Sequence, residues 1–295
     1  MKYDIKKLYE AASLDEAISL LDEHPEAKII AGGSDVLISI RGGELAGCTL
    51  VSIYGLDDLR GVTVDEDGTI RIGSLTSFTS IARNEIIMKY LPYLGEAAAS
   101  VGGPQVRNIG TIGGNTCNGV TSADTASTLL ALDAIIEVKG KDGYRRIPMK
   151  NWYIKAKVVD LKPTEVQTAI LIPKESYQGY FGNYYKYSAR HAMDIATCGC
   201  SVNVKLSDDK KTIEDVRIAY GVAGPVPLRA GTAEAAVKGR AVNLETLELF
   251  SEKVKDDINP RTSWRASKEF RTHLMTELAR RCLTESISRS GGIFQ

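Results

Sequence analysis

The stretch VGGPQVRNIGTIGGNTCNGVTSAD, residues 101–124, contains six glycines and few residues that could build a hydrophobic core. A segment of this composition bends sharply, lets another group approach its backbone, or does both. A shorter bend, AGGSD at residues 31–35, follows an apolar strand and precedes the predicted helix SDVLISIR. The long stretch likewise ends at Asp124, where the predicted helix TASTLLALDA begins. The chain therefore contains two Gly-Gly bends, and each leads into a helix.

The two bends together are suited to a diphosphate. Helix starts carry unpaired N–H groups and partial positive charge, which favours phosphate. A hydroxyl or amide donor accompanies each bend, namely Ser34 in the first and Thr111 and Asn115 in the second. The alternative is that each Gly-Gly is a tight turn with a capping serine, because short glycine motifs are common by chance. Neither bend is a P-loop or a G-x-G-x-x-G motif, which disfavours those two nucleotide sites.

Asp124 allows two interpretations from its position alone. It can cap the following helix, as aspartate often does. It can instead accept hydrogen bonds from sugar or ribityl hydroxyls, as acidic residues do in other dinucleotide sites.

Composition narrows the class of protein. The chain has 295 residues with 37 basic and 37 acidic side chains, so charge gives no reason to expect nucleic acid or an anionic membrane as the partner. No apolar run approaches the roughly 20 residues of a membrane span, and the N-terminus lacks the apolar centre of a secretory signal. We therefore predict a cytoplasmic protein. The five cysteines include no C-x-x-C pair and the three histidines lie far apart, so we expect no metal in this chain.

The hydrophobic pattern predicts α and β elements in separate regions. Residues 13–24 form an amphipathic helix with Ser13 and Glu16 as a capping box. Residues 61–74 form a hairpin, and residues 77–103 are helical with a break near Pro92. After about residue 180 three strands precede three helices, which is typical of an α+β domain.

Four spaced motifs resemble a known family. AGGSD, QVRNIGTIGGNTCNGVTSAD, MDIATCGC and SWRASKEFR occur together in the order found in FAD-binding subunits of molybdenum hydroxylases, most closely those of bacterial three-subunit xanthine dehydrogenases. The resemblance covers essentially the whole chain. It implies an α+β fold: a two-lobed FAD-binding domain of the vanillyl-alcohol-oxidase/PCMH type over residues 1–175, with lobes at about 1–55 and 56–175. A smaller α+β domain, an antiparallel sheet plus helices, then spans residues 176–295.

The resemblance also implies the cofactor site. The first bend would hold the FAD diphosphate mainly through backbone N–H groups, the second bend would complete that grip, and Val101 would pack near the flavin. Asp124 would contact the cofactor chain, Ser122 would belong to the same site, and Lys186 would lie at the flavin ring. The predicted cofactor-binding residues are Ile29, Ile30, Ala31, Gly32, Gly33, Ser34, Asp35, Val36, Val101, Thr111, Gly113, Gly114, Asn115, Ser122, Asp124 and Lys186.

Lys186 has a physical interpretation of its own. On a strand it shares a face with Tyr184 and Ser188. A cation near the edge of the isoalloxazine would stabilise the anionic reduced flavin. The alternative is a solvated lysine on a strand face, which is where most lysines lie.

The implied activity is electron transfer. No nucleophile or paired carboxylates are recognisable, so we expect no catalytic side chain, with the chemistry at FAD N5. Electrons would pass from a molybdenum cofactor through [2Fe–2S] centres on partner subunits to this FAD and then to NAD⁺ as co-substrate. The implied partners are a [2Fe–2S] subunit and a molybdopterin-binding subunit, as a heterotrimer or a dimer of heterotrimers. The heterocycle would be selected in the molybdenum subunit, and the resemblance favours a purine.

Alternatives remain open from the sequence. The chain could be a stand-alone flavin reductase or oxidase of the same superfamily, or a scaffold subunit that has lost FAD. Trp264, Arg265, Lys268 and Arg271 form either a solvated basic helix start or a docking surface for a partner chain.

The sequence departs from the usual family pattern at Thr121, where many relatives have proline.

Overall fold

Residues 3–294 are described in the computed structural model. They form three main β-sheets with helices packed on them, which agrees with the predicted α+β class. Within these residues, no helix combines the length and the apolarity that crossing a bilayer requires.

The N-terminal sheet has three parallel strands in the order β1-β3-β2. Its elements are β1 (Ile5–Glu10), α1 (Leu14–Glu23), β2 (Lys28–Ile30), α2 (Val36–Arg41) and β3 (Cys48–Ser52). The predicted cap of α1 is confirmed, because the Ser13 hydroxyl accepts a hydrogen bond from the Glu16 amide. The Glu16 carboxylate accepts from the amide of Ala12 rather than of Ser13, so the capping box is displaced by one residue.

The central sheet has five antiparallel strands in the order β4-β5-β10-β6-β7. Its strands are β4 (Val62–Val64), β5 (Ile70–Gly73), β6 (Ile135–Gly140), β7 (Gly143–Pro148) and β10 (Val166–Ile172), with a small hairpin of β8 (Tyr153–Lys155) and β9 (Val158–Val159). The helices in this part of the chain are α3 (Phe78–Arg83), α4 (Glu85–Tyr90), α5 (Pro92–Ala99), α6 (Pro104–Ile109), α7 (Ile112–Cys117), α8 (Ala126–Ala131) and α9 (Met149–Trp152). The predicted β4–β5 hairpin is confirmed.

The C-terminal sheet has four antiparallel strands in the order β11-β12-β13-β14. Its elements are α10 (Lys174–Tyr177), β11 (Phe181–Tyr187), β12 (Cys198–Leu206), β13 (Ile213–Gly221), β14 (Leu228–Arg229), α11 (Gly231–Val237), α12 (Leu244–Lys253) and α13 (Lys268–Arg289). Short 3-10 turns occur at Asp57–Leu59 and Val254–Asp256. The sequence order of strands followed by helices is confirmed, whereas the domain division at residues 175 and 176 stays a prediction.

The helical region after β5 has one more break than predicted. Besides the break at Pro92, Asn84 ends α3 and starts α4, because its side chain accepts hydrogen bonds from the amides of Ile86 and Ile87. A side-chain acceptor that satisfies two otherwise unpaired amides makes a new helix start favourable.

The glycine-rich stretch is more ordered than a polar loop. It contains α6 and α7, and Gly113 and Gly114 lie inside the first turn of α7. Thr111 starts α7, since its hydroxyl accepts from the amide of Gly114. The interpretation of Asp124 as a helix cap is wrong: the residue at the N-terminal cap of α8 is Thr125.

Candidate functional site

A cavity of about 270 Å³ lies where the N-terminal and central sheets meet. Residues from both Gly-Gly bends line it, together with Ser74, Leu75, Phe78 and β10. The predicted site residues in its lining are Ile29, Ala31, Gly32, Gly33, Ser34, Asp35, Val36, Val101, Thr111, Gly113, Gly114 and Asn115. Ile30, Ser122, Asp124 and Lys186 do not line it. The fold therefore brings together two bends that lie about eighty residues apart in the sequence, as the pairing of the bends predicts.

The first bend presents unpaired backbone donors to the cavity. Gly33 has φ of +74°, a left-handed conformation that glycine adopts readily and other residues rarely do. The amides of residues 32–36 have no hydrogen-bond acceptor among residues 3–294. Neither Ser34 nor Asp35 caps α2, so the interpretation as a capping serine is wrong for this bend. Clustered free N–H groups are the donors that a phosphate accepts from.

The two glycines of the first bend have different structural roles. A Cβ added at Gly32 would lie 1.8 Å from the carbonyl oxygen of Ile109, at the end of α6. The space beside Gly32 is therefore filled by the protein and not by a ligand. Gly33 provides the positive φ, and Gly32 allows the two bends to come into contact.

The second bend uses most of its amides internally. Gly113 donates to the carbonyl of Ser74, Gly114 to the Thr111 hydroxyl, and Asn115 to the Thr111 carbonyl. The interpretation that both helix starts offer unpaired N–H groups is therefore wrong for the second bend. The Thr111 hydroxyl proton and the Asn115 side-chain NH₂ have no acceptor in the described chain, and the Asn115 side-chain oxygen accepts from the Thr125 hydroxyl at 2.7 Å. This bend offers side-chain donors.

Two buried polar groups in the wall complete the donor set. The Ser74 hydroxyl and the Gln167 side-chain nitrogen are buried and have no partner among residues 3–294. The Gln167 side-chain oxygen is already occupied, since it accepts from the Thr116 hydroxyl at 2.9 Å. A buried unpaired polar group is costly unless a ligand or water satisfies it. Sequence reasoning missed both residues, although a glutamine within the apolar run VQTAILI was a signal for Gln167.

Lys186 and Asp124 form a buried ion pair beside the cavity. Lys186 Nζ donates to Asp124 Oδ2 at 2.9 Å and to the carbonyl of Ser100 at 3.0 Å. The Tyr184 hydroxyl donates to Asp124 Oδ1 at 3.4 Å. Burial raises the pKa of the Asp124 carboxyl more than the Lys186 ammonium lowers it. The interpretation of Lys186 as a solvated strand lysine is wrong, and Lys186 instead connects β11 to the segment that contains Val101.

No group of three or more histidine, cysteine, aspartate or glutamate side chains within residues 3–294 could hold a metal ion. Cys198 and Cys200 are both fully buried in β12.

Comparisons with known proteins agree with this geometry. Residues 2–175 match the family described as FAD binding domain in molybdopterin dehydrogenase, and residues 183–286 match the CO dehydrogenase flavoprotein C-terminal domain. The chain is 41% identical over 293 residues to the xanthine dehydrogenase FAD-binding subunit of Escherichia coli O157:H7, which covers 99% of this chain and 100% of that protein. It is 30% identical over 275 residues to the glyceraldehyde dehydrogenase medium chain of Sulfolobus acidocaldarius, covering 93% of this chain and 96% of the relative.

A solved structure shows the same fold over nearly the whole length. The carbon monoxide dehydrogenase of Hydrogenophaga pseudoflava, in a form that lacks the Mo-pyranopterin moiety, superposes with a TM-score of 0.92 at 28% identity, covering 98% of this chain and 99% of that one. The predicted fold class, an α+β FAD-binding domain followed by a domain with an antiparallel sheet, is confirmed. The resemblance to xanthine dehydrogenase FAD-binding subunits is confirmed as well. The chain therefore belongs to the FAD-binding subunits of the molybdenum hydroxylases, the family that includes the flavoprotein subunits of xanthine and carbon monoxide dehydrogenases.

Proposed function

We propose that the cavity between the two bends holds FAD, and that this chain passes electrons from [2Fe–2S] centres of a partner subunit through FAD to NAD⁺. The observation that carries the proposal is the row of unpaired amides at residues 32–36, which faces the cavity beside the unpartnered Ser74 and Gln167 donors. Backbone amides donate hydrogen bonds to a diphosphate. Hydroxyl and carboxamide side chains can bond to the hydroxyls of the ribityl chain and to the polar edge of the flavin ring. The residues present therefore fit the cofactor that the family binds.

Each part of the site would bind a different part of FAD. The segment Ile29–Val36, which includes Ile30, would hold the diphosphate by its backbone. Thr111 and Asn115 would add side-chain donors, with Gly113 and Gly114 fixing the start of α7 behind them. Val101 would pack against the ring. Ser122, Asp124 and Lys186 do not line the cavity, and they would contact the cofactor where it extends beyond the cavity.

FAD, when bound, supplies hydride and single-electron chemistry at its ring. The residues of this chain bind it, orient it and exclude water. Leu75, Phe78 and Val106 form an apolar part of the lining, which keeps water from the enclosed portion of the cofactor. The ammonium of Lys186 is fixed by hydrogen bonds to Ser100 and Asp124, so it would present its charge to the cofactor from one defined position.

The relatives support the assignment to a larger enzyme. The names FAD-binding subunit and medium chain each denote one chain of a complex. We propose that the partners here are a [2Fe–2S] subunit and a molybdopterin-binding subunit in the cytoplasm, as a heterotrimer or a dimer of heterotrimers. The proposed donor substrate is a purine, because the 41% identical relative belongs to xanthine dehydrogenase.

Purification of the native complex through a tag on this chain tests the proposal. We expect a flavin absorbance spectrum, iron and molybdenum in the same fraction, and xanthine-dependent formation of NADH. Mixing with NADH under anaerobic conditions should bleach the flavin, because the last step is reversible. A colourless chain would contradict FAD binding, and a flavin that xanthine bleaches but NADH does not would contradict NAD⁺ as the acceptor.

A further inference from the structure

Two neighbouring loops of the C-terminal region carry large exposed apolar side chains. Met193 and Ile195, in the loop between β11 and β12, are 62% and 49% exposed. Trp264, in the loop before α13, is 86% exposed, and Phe270 in the first turn of α13 is 43% exposed. We refer to Met193, Ile195, Trp264, Arg265 and Phe270 as the Trp264 surface. Clustered exposed apolar side chains of this size mark interaction sites.

The buried side chain of Arg271 connects the two loops. Its guanidinium donates to the carbonyl of Thr197 in one loop and to the Ser263 hydroxyl in the other. Next to it, the ring of Phe270 packs edge-on against Tyr187 at a centroid distance of 6.2 Å. The loops are therefore adjacent. Arg271 itself is buried, so it belongs to the support of the surface and not, as the sequence pattern suggested, to its exposed basic face.

The surface carries an excess of positive charge. Arg261 and Arg265 form no ion pair with any residue in the described part of the chain, and Arg271 is buried without a carboxylate partner. The Arg265 guanidinium stacks on the Trp264 ring at 4.3 Å. Tryptophan and arginine are two of the residue types that are enriched among the hot spots of protein–protein interfaces. Unpaired arginines beside it favour a partner that presents carboxylates.

One residue of the Trp264 surface, Met193, lies against the segment that follows Val101. A Cβ added at Gly103 would lie 3.2 Å from Met193 Cγ, so the Met193 loop packs on the start of α6. The same short segment contributes Val101 and Val106 to the cavity lining. A chain that covers the Met193 side of the Trp264 surface therefore also comes close to the segment that contains Val101.

From these contacts we infer that the Trp264 surface is the docking site of the electron-donating chain, which presents carboxylates around an apolar pocket that receives Trp264. The inference rests on the proposed function, because electrons reach a flavin ring near Val101 only from a redox centre held close to that segment. The chain of the complex that carries the [2Fe–2S] centres is the one that must come close to the flavin.

Co-purification with the tagged chain tests the inference, with Trp264→Glu and Arg265→Glu compared with Leu244→Glu. Leu244 is a matched control, because it is 62% exposed and also lies in the C-terminal region. We expect both surface variants to keep their flavin and their unfolding midpoint, while the iron that co-purifies falls about 10-fold or more, as for loss of an interface hot spot. Leu244→Glu should keep the iron. High salt should weaken the wild-type complex, since the contact is charged.

Three results would overturn the inference. The first is an unchanged amount of co-purified iron in both surface variants, and the second is an equal loss of iron in Leu244→Glu. The third is that the surface variants lose molybdenum but keep iron, which would assign the surface to the molybdopterin-binding chain. A wild-type chain without flavin would contradict the proposed function instead. The comparison of iron among the variants would still decide whether the Trp264 surface is a docking site.

Discussion

Lys186 and Asp124 lie 62 residues apart in the sequence, and their side chains meet at 2.9 Å with only 10% of each exposed. The pair connects β11 to the segment between α7 and α8. Because Lys186 also donates to the carbonyl of Ser100, it fixes the backbone just before Val101. Lys186 therefore has a structural role, because it holds β11 against both segments.

We expect Lys186→Met to lower the free energy of unfolding by about 3 kcal/mol, the usual cost of removing one partner of a buried ion pair. The reason is that Asp124 stays buried with only the 3.4 Å hydrogen bond from Tyr184. Urea unfolding of the flavin-free chain measures the change. The double variant Lys186→Met/Asp124→Leu is the control and should be more stable than Lys186→Met. A double variant that is less stable than both single variants would show that the charges do not compensate each other.

The pH dependence of stability should show whether desolvation or the ion pair with Lys186 has the larger effect on the pKa of Asp124. Burial raises the folded-state pKa of this carboxyl above that of the unfolded chain, which is about 3.9. The folded protein then binds the proton more tightly, so the contribution of Asp124 to stability is full below about pH 4 and is lost as pH rises through the folded pKa. Wild-type protein should therefore lose stability relative to Asp124→Asn as pH increases from about 4. Urea unfolding of both proteins between pH 4 and 7 tests this, and a relative gain would mean that the ion pair outweighs desolvation.

Ser74→Ala should act in opposite directions on the flavin-free and flavin-bound protein. The Ser74 hydroxyl is buried without a partner, so its removal should stabilise the flavin-free chain by about 1 kcal/mol. If the hydroxyl bonds to bound FAD, the same change should weaken flavin binding about 10-fold, which corresponds to 1.4 kcal/mol. Thermal unfolding and flavin titration measure the two effects.

Thr128→Val is the matched control for Ser74→Ala. The Thr128 hydroxyl is also buried and unpartnered, but Thr128 lies in α8 and does not line the cavity. Its removal should stabilise the flavin-free chain and leave the flavin affinity unchanged. Equal flavin affinity in the two variants would remove Ser74 from the site.

Sequence patterns predicted the helices and turns that are determined by residues close together in the sequence. The apolar spacing of Ala17, Ile18 and Leu21 gives α1 its buried face, and Asp67-Gly68 gives the β4–β5 turn. The resemblance then placed most of the cavity lining. Contacts between distant segments could not be predicted in this way.

The missed features all depend on such tertiary contacts. Gly32 lies against the backbone of Ile109, which leaves no room for a Cβ. The amides of the second bend donate to Ser74 and Thr111, and Asp124 pairs with Lys186. Each depends on the approach of segments that no local periodicity encodes. The break at Asn84 is different, because the preference of asparagine for helix caps was a visible signal.

Asn115→Asp should reduce flavin affinity about 30-fold. The substitution keeps the shape and the hydrogen bond from Thr125, but it replaces an NH₂ donor with negative charge in the cavity wall. Repulsion of about 2 kcal/mol between this carboxylate and a phosphate in the cavity would correspond to the loss of about 30-fold. Flavin titration of the purified chain measures the loss.

Asn108→Asp is the control for this charge. The Asn108 side-chain oxygen accepts from the Thr79 hydroxyl at 2.6 Å, and Asn108 is absent from the cavity lining. The two variants therefore share the chemistry and the type of hydrogen bond but differ in position. Similar flavin affinities would argue against a diphosphate beside Asn115.

Gly32→Ala tests whether contact between the two bends builds the site. The added Cβ would lie 1.8 Å from a backbone oxygen of Ile109, and a backbone atom cannot rotate away as a side chain does. The bends must therefore separate, and we expect a loss of about 3 kcal/mol in the free energy of unfolding, at the upper end for overpacking. Because separation also moves the amides of residues 32–36 away from Thr111 and Asn115, flavin should be lost from the purified chain.

Gly55→Ala is the control for this steric effect. A Cβ at Gly55 meets no atom within 4 Å, and the residue has no positive φ. This variant should unfold at the wild-type urea concentration and keep its flavin. If Gly32→Ala behaved in the same way, the close approach of Gly32 to Ile109 would not be needed for the cavity, and the row of free amides would have to be positioned by α2 alone.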